Sequence, residues 1–397
     1  MPKTTAPLEL TEEQALYFRS RRGHLTGPGA TDAPAAARAI LGAQSQQLAP
    51  SLRALSMRME GRPTASALTA ELLEPPRRLV RTWGQRDTIH IYDAETDWAA
   101  VVAARGEWAP GGRGGPMPSE AVVDKARKLM ASAERPVTRS DLIDVAPRAY
   151  VQAVEQRVGP GEAARRFAAG RLLWMLANQG NACAAGKTGA EQSYAARSAW
   201  FPELSWPRRP PPARAAATNL ALRYLSAYGP ATPTDIAHFF GARVANVRRW
   251  LESLDPGRRQ SPLLPVRCGG RKGLLARAED VDDLLVKPPT GARDWPVRLL
   301  PLWDCLLMGH ADKRWTVPDP AEEKTVWRKA AHVCATVLAR GRIVATWTQK
   351  VRGRRLLLEV QPLGLWRKSK HAAAVHREAK EFAAHLDLED AEVLFRR

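Results

Sequence analysis

Apolar residues recur at helical spacing in two stretches of the central part of the chain, Val122 to Ala133 and Ala217 to Tyr228. Each stretch is followed by the same short polar motif. Pro136-Val-Thr-Arg-Ser-Asp-Leu142 aligns with Pro230-Ala-Thr-Pro-Thr-Asp-Ile236, 94 residues later. In both copies a Thr or Ser can cap a helix whose first turn carries Asp, where the helix dipole favours a negative charge. The pattern predicts an internal repeat.

A second amphipathic helix and a β-hairpin follow the motif. In the later copy the helix has an apolar face and a basic surface, formed by Val244, Val247, Leu251, Leu254 and by Arg243, Arg248, Arg249. The earlier copy has the counterparts Phe167, Trp174, Ala177 and Arg165, Arg166. Residues 264–276 have the rhythm of a hairpin with a basic, Gly-rich tip. Helix, turn, helix and hairpin together predict a winged helix-turn-helix, present in tandem copies.

The two ends of the chain are less regular. Before the repeat, we predict helices at 12–22, 33–43 and 51–60 and a strand pair at 69–73 and 79–92, which fits a third winged module. After the repeat, β-rich stretches at 297–304, 335–338, 342–348 and 355–360 precede a helix at 371–385. We interpret this end as a small β-barrel or sheet capped by that helix.

Gly- and Pro-rich stretches at 108–118, 206–212 and 287–296 separate these parts. They predict four domains: winged helices at 1–110, 111–206 and 207–288, and a C-terminal β-domain at 289–397. The predicted fold class is therefore α+β, with three tandem winged helix-turn-helix modules and a small β-barrel-like domain.

The composition is globular but strongly basic. Of the 397 residues, 45% are apolar, and 60 Lys and Arg against 41 Asp and Glu give a net charge of +19. This excess indicates a polyanionic partner, and nucleic acid fits it better than a membrane. No apolar run reaches 18 residues, and the N-terminus lacks an apolar stretch of signal-peptide length. We therefore expect a cytoplasmic protein.

Several motifs allow a chemical interpretation and a simpler structural one. The cysteines share no CxxC spacing and are interpreted as reduced, mostly buried thiols: Cys183, Cys268, Cys305 and Cys334. Gly186-Lys187-Thr188 resembles the end of a phosphate loop, but the spacing of its upstream glycine and its position after a helix favour a wing tip. Residues 111–115 are interpreted as a loop. A polar cluster at Asp304, His310, Asp312, Lys313 and Arg314 fits DNA contact or a turn better than a metal site.

Three sequence blocks resemble one protein family. They are Arg81-Thr-Trp-Gly-Gln-Arg-Asp-Thr-Ile-His-Ile91, Tyr228-Gly-Pro-Ala-Thr-Pro-Thr-Asp235 and Leu300-Pro-Leu-Trp-Asp-Cys-Leu-Leu-Met-Gly-His-Ala-Asp-Lys-Arg314. In this order they resemble the signature blocks of the AlkZ/YcaQ-like winged-helix DNA glycosylases, which include azinomycin-resistance enzymes. The resemblance extends from about residue 11 to residue 396.

The resemblance implies a function and an active site. Members of the family excise N7-alkylated purines and unhook interstrand crosslinks, and their winged helices surround a DNA channel. Their Gln-apolar-Gln motif corresponds here to Gln44-Ser45-Gln46, with Ser45 in place of the aliphatic residue. The resemblance implies no cofactor and no metal. Double-stranded DNA with alkylated or crosslinked purines is the implied partner.

The chemistry is consistent with this motif. An N7-alkylated purine is already cationic and leaves as a neutral base, so extrusion of the nucleotide, orientation of a water and stabilisation of charge on the sugar are sufficient. A Gln amide can accept from water and donate to a base or phosphate at once. Because residues i and i+2 of a helix do not face each other, Gln44 and Gln46 converge only if their segment is non-helical. The alternative is a solvated helix end.

Candidate DNA contacts and one further alternative complete the prediction. The candidates are Arg86, His90, Arg248, Arg249, Lys313 and Arg314. For His90, a buried and hydrogen-bonded position is an equal alternative. A non-catalytic winged-helix DNA-binding regulator is the alternative function. Three unequal modules and no obvious dimerisation helix favour a monomeric enzyme over such a regulator, because many regulators are symmetric dimers.

Overall fold

The computed structural model describes residues 6–108, 116–254 and 261–396 and confirms an α+β chain. Its elements up to residue 108 are β1 (Leu8–Leu10), α1 (Glu12–Arg22), α2 (Ala33–Ala39), β2 (Ala43–Gln44), α3 (Leu48–Ser56), α4 (Ala65–Leu73), β3 (Leu79–Trp83), β4 (Ile89–Asp93) and α5 (Trp98–Ala104). No helix in the described ranges is long and apolar enough to cross a bilayer. The predicted loop at 111–115 lies outside the described residues.

The helix predictions for this part were mostly right. α1 begins and ends at the predicted residues. Thr11 and Gln14 form a reciprocal capping box at its start. α2 ends four residues before the predicted boundary, and the chain continues as the short strand β2. The strand predicted at 69–73 is wrong: it is the second half of α4. Thr64 caps that helix, and Leu68 and Leu72 bury one helical face.

The second and third modules each contain helices followed by a hairpin, as predicted. The second contains α6 (Glu120–Ser132), β5 (Val137–Thr138), α7 (Arg148–Val158), α8 (Glu162–Asn178), β6 (Ala182–Thr188), β7 (Glu191–Ala196) and α9 (Arg197–Trp200). The third contains α10 (Ala213–Tyr228), α11 (Pro233–Phe240), α12 (Val244–Glu252), β8 (Leu263–Cys268), β9 (Arg271–Arg277) and α13 (Val281–Leu285). Residues 186–188 end β6, which confirms the wing-tip interpretation.

The internal repeat is visible as the same hydrogen-bonded box. The backbone N–H of Thr138 donates to the Asp141 carboxylate at 2.7 Å, and that of Thr232 donates to Asp235 at 2.9 Å. In return each Asp backbone N–H donates to the hydroxyl of its Thr. The box begins α11 in the third module and a 3-10 helix at Ser140–Val145 in the second.

The modules share sheets. β2, β4 and β3 of the first module continue into β6, β7 and β5 of the second, and Arg81 pairs with Ala184 at the junction. β1 pairs in parallel with β8, and α1 packs in the core of the third module. The predicted linker at 206–212 packs on the first module at its start. Trp206 lies edge-on against Trp98, with 5.2 Å between the ring centroids. The three winged modules therefore form one connected scaffold.

The C-terminal part is an open sheet capped by a helix. It contains β10 (Arg298–Leu300), α14 (Cys305–Met308), α15 (Pro320–Val326), β11 (Trp327–Arg328), β12 (His332–Val333), β13 (Thr336–Ala339), β14 (Arg342–Arg352), β15 (Arg355–Pro362), α16 (Lys368–His385) and β16 (Asp390–Phe395). The main sheet has the order β10-β13-β14-β15-β16. The β-barrel-like prediction was wrong in this detail, since the two edge strands of the described sheet do not pair. α16 buries Val375, Ala379 and Phe382 against the sheet.

Candidate active site and DNA interface

The Gln44-Ser45-Gln46 segment is not helical: Gln44 ends strand β2, and Gln46 lies in the bend that precedes α3. After α2 the chain turns at Gly42, whose φ is +93° and where the Tyr92 ring leaves no space for a Cβ atom. Ala43 and Gln44 then pair with Ile91 and His90 of β4. The helix-end alternative is thereby removed for Gln44.

Two donors hold the glutamine amides in defined orientations. The Arg86 Nη2 atom donates to the Gln44 Oε1 atom at 2.9 Å, and the Ile89 backbone N–H donates to the Gln46 Oε1 atom at 2.9 Å. A guanidinium and a backbone N–H can only donate, so the accepting atom of each amide must be its oxygen. Gln44 is 9% exposed and Gln46 is exposed. Each amide nitrogen keeps its hydrogens for another partner.

Ser45 lies on the opposite side, in a polar environment. It is fully buried; its hydroxyl accepts from Ser51 at 2.8 Å and from Arg81 Nε at 3.0 Å. The Arg81 Nη2 atom also donates to the Ser45 carbonyl oxygen at 2.8 Å. Buried polar groups require such partners. Serine therefore fits the position where the family has an aliphatic residue.

The turn between β3 and β4 directs one charged side chain to Gln44 and another to the second module. Arg86 and Asp87 are both left-handed, with φ of 56° and 55°. Non-glycine residues in this region carry backbone strain, which is concentrated at functional sites. Arg86 holds the Gln44 amide, whereas the Asp87 carboxylate accepts from the Trp174 indole N–H at 2.6 Å.

A cavity of about 640 Å³ lies beside Gln46, between the first wing and the second module. Its wall includes aromatic, acidic and basic side chains: Trp83, Phe167, Trp174, Tyr194, Asp87, Glu191, Arg139, Arg166 and Arg171. Sequence reasoning missed Asp87 and Trp174 as site residues. The only available signal was that Asp87 belongs to the same block as Arg86, since the partner Trp174 is 87 residues away.

The predicted DNA contacts divide into exposed and internal residues. Arg248 and Arg249 are exposed on α12, and Arg314 is exposed with its guanidinium on Asp312. His90 is 1% exposed, with its Nδ1 atom 3.0 Å from the Thr88 carbonyl oxygen. Burial, with Arg86 nearby, places the His90 pKa well below its usual value. This placement supports the buried alternative for His90 and not a DNA contact.

Arg86 and Lys313 form a basic cluster behind Gln44. Arg86 is partly buried and also donates to the Phe239 carbonyl oxygen, which directs it inward. The Lys313 Nζ atom donates to the His310 carbonyl oxygen at 2.6 Å and lies 3.1 Å from His238 Nε2. Burial and the neighbouring Arg86 lower the pKa of Lys313 to about 8. The positive potential here is available to a phosphate only if DNA approaches closely.

The carboxylates of the C-terminal polar cluster are already paired. Asp304 forms a buried ion pair with Arg58 at 2.8 Å, and Asp312 contacts Arg314 and Arg271. Burial acts to raise the pKa of Asp312, but hydrogen bonds from Arg314 outweigh it and lower the pKa. Across the described ranges, no group of three or more potential ligands is arranged to hold a metal ion. The four cysteines are buried and unbridged.

Tandem winged helices, a basic surface and a pair of oriented amides define a DNA-acting protein. The comparisons specify which kind: the sequence profile described as DNA glycosylase AlkZ-like matches residues 37–385, and the chain belongs to this family of N-glycosyl hydrolases. A relative from Streptomyces sahachiroi, an interstrand DNA cross-link repair glycosylase, is 26% identical over 281 residues, which are 68% of this chain and 70% of the relative. The solved structure of Streptomyces sahachiroi DNA glycosylase AlkZ is similar in fold, with a TM-score of 0.80 at 20% identity, over 98% of this chain and 100% of that one.

Proposed function

We propose that this protein is a monofunctional DNA glycosylase for cationic alkylated purines, carrying N7 or N3 adducts, and that it unhooks N7-linked interstrand crosslinks. Gln44 and Gln46 are its catalytic residues, and a monomer binds the damaged duplex. The pathway served is base excision repair or self-resistance to a DNA-alkylating agent. The observation that carries the proposal is the pair of neutral amides two residues apart, each held in orientation by a donor from the turn and strand that follow β3.

Neutral amides suit a leaving group that needs no proton. A normal base leaves as an anion unless an acid protonates it. A cationic N7-alkylpurine leaves as a neutral base without an acid. Each amide here still offers N–H donors and an oxygen lone pair, with which it can hold a water against the sugar carbon. The Arg86 and Ile89 donors fix these groups before substrate arrives. Preorganisation of this kind lowers the barrier without reorientation during the reaction.

The groups near the motif that could supply a proton have other partners: the Asp87 carboxylate accepts from the Trp174 indole N–H, and Glu191 is paired with Arg166. His90, which pairs with Gln44 across the strands, is buried, and its lowered pKa keeps it neutral near pH 7. Asp304 is in an internal ion pair with Arg58 and is 1% exposed. These placements favour a lesion whose base is already cationic and therefore leaves without protonation by the enzyme.

The exposure of the site supports crosslinks as substrates. Gln46 is exposed, so a purine that is still linked to the second strand can reach it without complete enclosure. The relative with 26% identity is named as an interstrand cross-link repair glycosylase. We extend that activity to this chain as part of the proposal.

Single-turnover assays on matched duplexes test the proposal. One duplex carries N7-methylguanine, a second carries uracil, a third carries 8-oxoguanine, and a fourth carries an N7-linked interstrand crosslink. We expect abasic sites, detected by alkaline strand cleavage, from the first, and separated strands on a denaturing gel from the fourth. Efficient release of uracil would reveal an acid and contradict the mechanism. No release from the N7-methylguanine duplex would refute the proposed substrate class.

A further inference from the structure

We infer that the third winged module takes part in catalysis: through Arg86, the C-terminal end of α11 sets the orientation of Gln44, and Gly241 permits the close approach that this requires. Arg86 and Gly241 are positioning residues, because they act on the reaction through Gln44 and need not touch the substrate. Their role rests on the proposed function, in which Gln44 is a catalytic residue. It gives the third module a task beyond contact with DNA.

The Arg86 guanidinium joins Gln44 to α11. Its Nη2 atom donates to the Gln44 Oε1 atom at 2.9 Å, and its Nη1 atom donates to the Phe239 carbonyl oxygen. Phe239 lies in the last turn of α11, where carbonyl groups have no partner within the helix and the helix dipole favours a cation. Because the guanidinium is planar and rigid, the position of the Phe239 carbonyl oxygen restricts where the Nη2 atom can lie.

Gly241 allows the Arg86 turn to lie directly against the end of α11. It ends the helix in the left-handed conformation, with φ of 70°. A Cβ atom at this position would lie 2.9 Å from the Arg86 Cα atom and 3.1 Å from the Arg86 backbone nitrogen. Because the first of these distances is too short for a contact with a backbone atom, a side chain at residue 241 would displace the turn. Both Arg86 hydrogen bonds therefore depend on a glycine in the third module.

Contacts other than Arg86 hold α11 in its position. Thr232 and Asp235 form a capping box at its start, and the Asp235 Oδ1 atom accepts from the Ala311 backbone N–H at 2.9 Å. Farther along the helix, the His238 Nε2 atom lies 3.1 Å from the Lys313 Nζ atom. The C-terminal domain thus contacts the helix at two points. α11 can therefore act as a support for the Arg86 side chain.

The Gln44 amide depends on this support for its orientation. The terminal torsion of a glutamine side chain has a broad energy minimum, so the amide can rotate when no donor holds its oxygen. Rotation exchanges the oxygen with the nitrogen and changes the groups that face a water or a developing charge. Even a small displacement of a preorganised group slows a reaction strongly. A change at the end of α11 should therefore reach the chemistry through Gln44.

A double-mutant cycle in the full-length protein tests whether Arg86 and Gly241 act through Gln44. Arg86→Lys keeps the charge but cannot reproduce the planar fork, and Gly241→Ala adds the Cβ atom that the turn excludes. Gly61→Ala is the matched control, because Gly61 has a φ of 68° and no atom within 4 Å of an added Cβ atom. Each change is made in the wild type and beside Gln44→Ala. Single-turnover excision of N7-methylguanine at saturating enzyme, corrected for the enzyme-free reaction, gives the rate, and fluorescence anisotropy gives the affinity for an undamaged duplex.

We expect Arg86→Lys and Gly241→Ala each to lower the rate by about tenfold in the wild type but by less than about twofold beside Gln44→Ala. The affinity for the undamaged duplex should stay within about twofold of the wild-type value, because no phosphate contact is lost. Gly61→Ala should excise at the wild-type rate. If Gly241→Ala does not fold, as judged by circular dichroism, Arg86→Lys decides.

Equal losses of rate with and without Gln44→Ala would indicate a general structural defect and overturn the positioning role. Wild-type rates in the folded variants, while Gln44→Ala is impaired, would overturn it as well. So would weaker DNA binding at an unchanged rate, because Arg86 would then be a DNA contact. An unimpaired Gln44→Ala variant, or a wild type that releases no N7-methylguanine, would instead refute the proposed function itself.

Discussion

The Arg81 guanidinium donates to both the carbonyl oxygen and the hydroxyl of Ser45, at 2.8 and 3.0 Å. Its third contact is the Gln192 Oε1 atom in the wing of the second module, at 2.5 Å. One side chain thus joins Ser45, the central residue of the Gln44-Ser45-Gln46 motif, to both wings. The positions of Gln44 and Gln46 depend on this joint because they are the direct neighbours of Ser45.

We expect Arg81→Lys to impair base release while largely preserving DNA binding. Lysine keeps the charge but cannot reproduce the planar fork that spans two Ser45 atoms and Gln192. A small displacement of the motif should lower single-turnover excision of N7-methylguanine by ~10²-fold. Arg78→Lys, at an exposed ion pair with Asp32, is the control and should excise at the wild-type rate. Equal rates in both variants would show that the joint does not position the motif.

The presence of serine in the motif makes a separate prediction. Ser45→Val restores an aliphatic residue but removes the hydroxyl that Ser51 and Arg81 Nε contact, while each donor keeps a carbonyl partner. A buried hydrogen bond contributes about 0.5–1.5 kcal/mol, so the loss of two should lower the free energy of unfolding by about 1–3 kcal/mol. Urea denaturation of wild type, Ser45→Val and Ser45→Thr measures it. Because threonine retains the hydroxyl, a threonine variant as unstable as the valine variant would point to packing instead.

Replacement of the glutamines should separate binding from chemistry. Gln44→Ala and Gln46→Ala remove no charge, so affinity for an undamaged duplex should remain nearly unchanged. Excision should drop by ~10²-fold or more in each, because a water or a developing charge loses a preorganised partner. Gln47→Ala, a neighbouring exposed glutamine, is the matched control. Full activity in the double Gln44, Gln46 variant would place the active site elsewhere.

Duplex binding should depend steeply on salt. If the net charge of +19 is used along a channel, the slope of log affinity against log salt is roughly −0.9 for each phosphate neutralised. About five or more contacts are expected from three modules. Arg248→Gln and Arg249→Gln should each make the slope less steep by about one, since both side chains are exposed on α12. A wild-type slope near zero would contradict the channel.

Acid should destabilise the protein between about pH 6.5 and 4. Burial lowers the pKa of His238 to about 4, with Lys313 and Arg86 adding to the shift and Asp235 opposing it, and burial lowers the pKa of His385 to about 4. In this window the unfolded chain binds protons at these positions and the folded chain does not, so the free energy of unfolding falls with falling pH. Thermal denaturation across the window should show a shallower dependence for His238→Gln. His376→Gln, at an exposed histidine, should retain the wild-type dependence.

Local patterns predicted much of the fold. The capping box of Thr11 and Gln14 fixes the start of α1, and the Thr and Asp pairs of the repeat fold as the same box twice. Residues 69–73 misled because β-branched and aliphatic residues over a short run fit a strand as well as a helix. The cap at Thr64, which decides between them, lies outside that run.

Contacts between distant segments could not be predicted from such patterns. The pairing of Arg81 with Ala184, which fuses two modules, leaves no trace in either local sequence. The same holds for Asp87 and Trp174, and for the inward direction of His90, whose block was recognised without its orientation. The motif itself was found through the resemblance, whereas its non-helical conformation was predicted because two residues i and i+2 of a helix do not face each other.

The pairing of β1 with β8 has a consequence for biosynthesis. Leu8–Leu10 and α1 are synthesised before the segments they pack against. Those segments, Val266 to Cys268 and the core of the third module, follow roughly 250 residues later. A segment that is made before its partners therefore reaches its native position late. Until then the apolar residues of α1 lack their native partners. The sheet of the third wing is complete only when β1 pairs with β8.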